Sequence, residues 1–307
     1  MLTVILTSSR VAPGLLSWEA WAALREASGV FADSAGHPQA PALAPAGIEV
    51  SPGTLDEAAA MVADGKRAVW LAPPDSPAES FTGWRVVAGS EDLPGAHLID
   101  AVSVMDTLRV KCPWDSKQTH ESLLKYLLEE AYEAADAIET GDFAGMREEL
   151  GDVLLQVLFH ARVASERSGT GFTADDVADE LVAKLKRRHP HVFGSVSVSG
   201  ADDVNRNWEE IKKAEKAEKA SAKGSGPASV LDGIPFGQPA LSLATQLVKR
   251  ASKAGFPGAD SDGDGVGTEL MDLVAKARAA GTDPELELRA AARRFADQVR
   301  AWERTRD

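Results

Sequence analysis

The chain has 307 residues, 44% of them apolar, and a formal net charge of −14. That gives room for two or three small domains with ordinary cores, and it excludes broad nucleic-acid binding, although a local basic cluster can still hold a small anion. The single cysteine, Cys112, excludes an internal disulfide and fits a reducing, cytoplasmic setting. The opening MLTVILTSSR has no basic start and no long apolar run, so no signal peptide is expected, and no apolar stretch of about 18 residues predicts a membrane span.

Residues 1–100 read as a small α/β accessory domain. Strands are expected at Thr3 to Leu6, Gly29 to Phe31, Ala68 to Leu71 and Trp84 to Ala88. Helices are expected from Ser17 to Ala27 and from Thr54 to Ala63, with Ser17 and Thr54 as caps. The alternation suggests an α/β layer. The order of strand, Leu-Leu loop, helix and strand, followed by His37-Pro38, resembles the start of tetrapyrrole methylases. The departure is the loop after the first strand, Ser8-Ser9-Arg10-Val11-Ala12-Pro13-Gly14, which is not glycine-rich. The resemblance implies a truncated remnant without methyl transfer; an unrelated scaffold is the alternative.

Residues 101–223 carry the chemistry. A short helix from Ala101 to Val110 leads to Cys112-Pro113-Trp114-Asp115, where Pro113 ends it. Trp114 reads as a lid or a core anchor. Thr119 precedes the next helix, but Thr119-x-x-Ser122 is not the usual capping box, so a loosely set start is expected. Apolar residues then recur at helical spacing from Leu123 to Ile138 and from Leu150 to Ala161. Gly141-Asp142 separates the two helices, and so short a connection predicts an antiparallel hairpin.

The hairpin holds two acidic motifs, Glu129-Glu130-x-x-Glu133 and Glu149-x-x-Asp152. Residues three apart share a helix face, so Glu130 projects with Glu133 and Glu149 with Asp152. Two charges about 4 Å apart repel by ~4 kcal/mol near a protein surface. Four converging carboxylates therefore need cations or raised pKa values. Hard oxygen donors select Mg²⁺ or Mn²⁺, which commonly bridge carboxylates and phosphates. Either motif alone would suit a solvated acidic face; the pair favours metal and phosphate-ester chemistry.

A third helix, from about Thr173 to Arg188, ends in Lys184-Leu185-Lys186-Arg187-Arg188. Lys184, Arg187 and Arg188 share a face, and Arg forks phosphate while Lys meets it as a point charge. Favourable interaction with the helix dipole is the plainer explanation, but beside an acidic hairpin whose metal-bound phosphates need counter-charge, triphosphate binding by Lys184, Arg187 and Arg188 is expected. His189 and His191 flank Pro190 and suit a structural turn. His160 lacks the Glu-x-x-His spacing of di-iron bundles, since position 157 is Val157. A fourth helix is expected from Asp203 through Lys223, with surface pairs such as Glu215 to Lys219.

The run CPWDSKQTHESLLKYLLEEAYEAADAI, then REELGDVLLQVLFHARVA, then KLKRRHPHVFG resembles the MazG family of nucleoside triphosphate pyrophosphohydrolases over about a third of the chain. The resemblance implies a mainly α protein with a four-helix MazG-type (all-α NTP pyrophosphatase) core, a homodimer, and Mg²⁺-dependent cleavage of nucleoside triphosphates to monophosphate and pyrophosphate. It implies nucleotide contacts for Lys184 and Arg188, and a base-stacking place for Trp208, whose alternative is a dimer-core Trp. Glu130, Glu133, Glu149 and Asp152 then hold the metal. Glu129, or one of the metal ligands, orients or deprotonates the water.

Residues 224–307 read as a helical, degenerate second copy behind a Gly224 to Pro227 linker. Glu269 to Val274 echoes Glu149 to Leu154, and Arg289 to Trp302 echoes the basic helix. The EExxE helix has no counterpart, so no catalysis is expected there. Asp260-x-Asp262-x-Asp264-Gly265 starts like a calcium loop, but the twelfth position is Met271 and a plain loop is expected. Other readings of the whole chain are a non-catalytic nucleotide-sensing regulator or scaffold, and a narrow dUTP or dCTP pyrophosphatase.

Overall fold

A computed structural model of the chain describes residues 1–222, 229–257 and 265–306. The chain divides into two compact units, Met1–Lys184 and Leu185–Asp307. The expected Gly224 to Pro227 linker and the Asp260 to Asp264 run lie outside the described residues.

The first unit opens with alternating elements: β1 (Leu2–Leu6), α1 (Trp18–Glu26), β2 (Gly29–Ala32), α2 (Ala40–Leu43), β3 (Val50–Pro52), α3 (Leu55–Ala63), β4 (Ala68–Leu71) and β5 (Arg85–Ala88). They form a parallel sheet in the order β3-β2-β4-β1-β5. All four residues of the central strand β4 are buried, as in a strand covered on both faces. On β1, Ile5 joins Ala20 and Leu24 of α1, while Val4 joins Ala58 of α3. The side-chain period of two thus feeds two separate cores. The strand β3 escapes sequence reading because Val-Ser-Pro is too short to show a period. Its Pro52 is tolerated at the sheet edge, where no ladder donor is required. Ser17 caps α1, accepting from the Ala20 N–H at 3.2 Å. Thr54 and Glu57 form a reciprocal box on α3.

From His97 onward the unit is helical: α4 (His97–Lys111), α5 (His120–Thr140), α6 (Phe143–Ala164) and α7 (Ala174–Arg188). The start of α5 is fixed, contrary to the expectation of a loose one. The Thr119 N–H donates to Ser122 Oγ at 2.9 Å, and the Ser122 N–H donates to Thr119 Oγ1 at 3.2 Å. A serine hydroxyl supplies the acceptor that Glu or Gln usually provides.

Two residues join α5 to α6. Gly141 has φ 72°, and the Asp142 carboxylate caps α6 through the N–H groups of Ala144 (3.1 Å) and Gly145 (3.0 Å). A Cβ on Gly141 would meet nothing within 4 Å, so Gly141→Ala isolates the cost of left-handed backbone. It is expected to lower stability by about 1 kcal/mol in urea unfolding. The hairpin packs against α4 through Met105, Leu123 and Phe159. Arg109 of α4 clasps the intervening turn. Its Nε and Nη2 each donate to Glu166 at 2.8 Å, and Nη1 donates to the carbonyls of Asp115 (2.5 Å) and Gln118 (3.0 Å). Trp114 packs edge-on against Tyr126 and Phe159 at 5.9 and 6.3 Å and keeps its other side exposed.

The second unit takes the last residues of α7, then α8 (Pro190–Phe193), α9 (Ala201–Ala222), α10 (Ala240–Lys253), α11 (Val266–Ala279) and α12 (Pro284–Glu303). The last three pack together, with Val274 buried and Arg278 Nη1 donating to the Thr245 carbonyl at 3.3 Å. No described helix is long and apolar enough to cross a membrane.

Candidate metal centre and nucleotide-binding residues

Because α5 and α6 run antiparallel, a step forward on one matches a step back on the other. Glu133 near the turn therefore meets Glu149, and Glu130 comes in one turn further along. One oxygen from each of Glu130, Glu133 and Glu149 lies within 4.8 Å of the others. Asp152 stands outside this three-oxygen group, but its charge acts on both Glu130 and Glu149. Glu129 is exposed and acts on Glu130 from the neighbouring position. Burial, followed by the charges of Asp152 and Glu133, raises the Glu130 carboxyl above its ordinary range. Burial, followed by Glu133 and Asp152, does the same for Glu149. Carboxylates held in this way form a hard-donor set that suits a divalent cation.

The raised values have a consequence for the metal-free protein. A carboxyl whose folded pKa lies above its unfolded value contributes stability below the unfolded pKa and loses it as pH rises through the folded one. Lowering the pH from 7 toward 5 in EDTA is therefore expected to favour wild type relative to Glu130→Gln, which has no proton to take up there. Thermal melts of both proteins across that range check the sign. Saturating divalent metal is expected to abolish the effect, since the cation replaces the proton.

The predicted nucleotide-binding residues fall in both units. Lys184, half-buried on α7, belongs to the first. Arg187, Arg188 and Trp208 belong to the second. Arg187 Nε donates to Glu215 Oε1 at 2.7 Å, and Arg188 Nη2 donates to Glu215 Oε2 at 2.7 Å. The hydrogen bond from Arg188 leads in holding the Glu215 carboxyl down to about 2. Glu215 is thus paired across helices with Arg187 and Arg188, while the expected pairing with Lys219 falls on a side chain outside the described ones. The Arg188 guanidinium lies 5.7 Å from the Trp208 ring centre, and the His189 ring meets the same indole edge-on at 4.9 Å. The His189 ring bonds the Leu185 carbonyl through Nδ1 at 2.7 Å, consistent with a structural turn.

Sequence reading missed one pair on the hairpin. His120 and His160 stack with rings 2° from parallel and their Nδ1 atoms 2.8 Å apart. Two nitrogens this close share one proton, and burial followed by His120 lowers the His160 pKa. The register gives only part of this: a hairpin that opposes Glu133 to Glu149 sets residue 120 opposite residue 162, two positions from His160.

The MazG nucleotide pyrophosphohydrolase domain model matches residues 118–193, which span the whole acidic hairpin. A "Nucleoside triphosphate pyrophosphohydrolase/pyrophosphatase MazG" from Thermotoga maritima is 39% identical over 228 residues, covering 66% of this chain and 84% of that protein. The chain belongs to the MazG family. A 26.1 kDa protein encoded 3′ of blaB in Streptomyces cacaoi is 49% identical over 71% of this MazG chain and 87% of its own length. A nucleoside triphosphate pyrophosphohydrolase from Mycolicibacterium smegmatis is 47% identical over 72% of this chain, which spans 64% of that relative. In this MazG chain the matched segment contains Glu129, Glu130, Glu133, Glu149, Asp152, Lys184, Arg187 and Arg188, and Trp208 lies beyond it.

Proposed function

We propose that the chain hydrolyses nucleoside triphosphates at the α–β phosphate bond, releasing a monophosphate and pyrophosphate. The observation that carries this reading is the convergence of Glu130, Glu133 and Glu149 on one hairpin inside the family-matched segment. With Asp152 they would hold Mg²⁺ or Mn²⁺, and such an ion supplies positive charge to phosphate oxygens. Glu129, or one of the metal-holding carboxylates, orients the water and takes its proton as the oxygen attacks phosphorus. The anhydride bond breaks, and the leaving phosphate carries its electron pair. Lys184, Arg187 and Arg188 provide counter-charge and Trp208 an aromatic face for the base.

The test is incubation with ATP and Mg²⁺. AMP and pyrophosphate are the expected products; ADP and orthophosphate, or no turnover, would reject the reading. A panel that includes dUTP and dCTP then defines the base and sugar preference and separates general pool cleansing from a narrow activity.

The flanking regions are read by the same chemistry. Residues 1–100 serve as an accessory module without methyl transfer, residues 101–223 as the catalytic domain, and residues 224–307 as a degenerate copy. Ligands of parallel sheets bind at the carboxyl ends of the strands. Here Arg10 occupies that edge, paired with Asp75, Asp92 and Asp100 at 2.8, 2.7 and 2.7 Å. In the last region α10 carries no acidic residue, so among the described residues that helix offers Glu269 and Asp272 no partner motif. A homodimer is supported by Leu124, Leu128, Leu150 and Val157, which stay exposed on the outer faces of the hairpin. A cytoplasmic location fits the single cysteine.

A further inference from the structure

Glu215 of α9 sits between the two arginines that close α7. Ordinary surface ion pairs contribute little, but this one is built differently. The side chains of Glu215 and Arg188 are only 15% and 22% exposed. Glu215 takes one edge of the Arg188 fork, Nη2 at 2.7 Å and Nε at 3.4 Å. Among the described residues Nη1 makes no hydrogen bond, so the second edge is open to an anion. The Trp208 ring, itself buttressed by His189, lies against the same guanidinium. An arginine already fixed along one edge and beside one ring loses little freedom when a phosphate takes the other edge.

We propose that Glu215 is a positioning residue: by holding the Nε/Nη2 edge of Arg188 it presents the Nη1/Nη2 edge to a phosphate of the nucleotide. This rests on the pyrophosphohydrolase reading above. It also opposes the simplest electrostatic expectation, that a carboxylate beside an anion site repels substrate and that its removal tightens binding. Charge-assisted bonds depend on alignment, and a freed Arg188 would have to be ordered anew by each substrate.

The experiment measures KM and kcat for ATP by pyrophosphate release in wild type, Glu215→Ala, Glu215→Gln, Arg188→Lys and the Glu215→Ala/Arg188→Lys double variant. Glu215→Ala is expected to raise KM about tenfold with kcat little changed. Glu215→Gln, which keeps an acceptor oxygen, is expected to show a smaller rise. Arg188→Lys keeps the charge but not the fork and is expected to match Glu215→Ala, with the double variant no worse than either, since both remove one device. A lower KM in Glu215→Ala overturns the proposal, because the carboxylate would then be competing with phosphate. An unchanged KM with only a lower Tm, or additive effects in the double variant, overturns it too, leaving a structural tie. If Glu215→Ala does not fold, the near-isosteric Glu215→Gln carries the same comparison. Wild type that releases no pyrophosphate rejects the enzymatic reading itself and this inference with it; active wild type with additive variants rejects this inference alone.

Discussion

Glu133→Gln is expected to cut pyrophosphate release by at least about 100-fold while leaving the fold intact. Removing one preorganised electrostatic group from a reacting centre commonly costs on the order of 10²- to 10³-fold. Glu133 lies in the carboxylate cluster with Glu130 and Glu149 and is otherwise exposed. Glutamine matches its shape and helix propensity, so no packing is lost. Stability in EDTA is expected to hold or rise, because Glu133 is the leading charge acting on Glu149. The opposite movement of activity and metal-free Tm is what separates a metal-holding carboxylate from a structural one. Activity within tenfold of wild type under excess Mg²⁺ would remove Glu133 from the centre.

Arg109→Ala is expected to destabilise the first unit by about 2–3 kcal/mol in urea unfolding. The Arg109 side chain is 10% exposed, and its loss strands the Asp115 and Gln118 carbonyls along with one side of Glu166. Glu166 keeps Arg162, at 2.9 Å, which holds the cost toward the lower end of the range for broken buried pairs. Hydrogen bonding from Arg109 is the largest influence keeping the Glu166 carboxyl below its ordinary 4.5. A depressed carboxyl contributes stability above the unfolded pKa and loses it as pH falls through the folded one. The gap between wild type and Arg109→Ala is therefore expected to narrow below about pH 4.5. A gap that is constant with pH would mean that the carbonyl contacts dominate.

The acidic hairpin was legible because three local signals agreed: helical apolar spacing, the Gly141-Asp142 break, and charges three residues apart. A two-residue turn then leaves one arrangement. The central strand β4 was legible as a short apolar run, whereas β3 had too few residues to show any period. The box at Thr119 was misread because Ser122 is not the usual third-position residue, although its hydroxyl offers the same acceptor. The ties of Glu215 to α7 were missed for a different reason. Spacing along one helix points only to a neighbour four residues away, while Arg187 and Arg188 stand 28 and 27 residues earlier. Contacts between helices distant in sequence leave no periodic trace. His120 and His160 fall between these cases, since the hairpin register brings them to the same level but does not by itself set one ring against the other.

Direct titration of Mn²⁺, followed by the loss of its free-ion paramagnetic resonance signal, tests whether the hairpin holds a divalent cation. Wild type is expected to deplete the signal, and Glu130→Gln/Glu149→Gln, folded by circular dichroism, is expected to leave it unchanged. Equal depletion by both proteins would place the metal elsewhere and contradict the account.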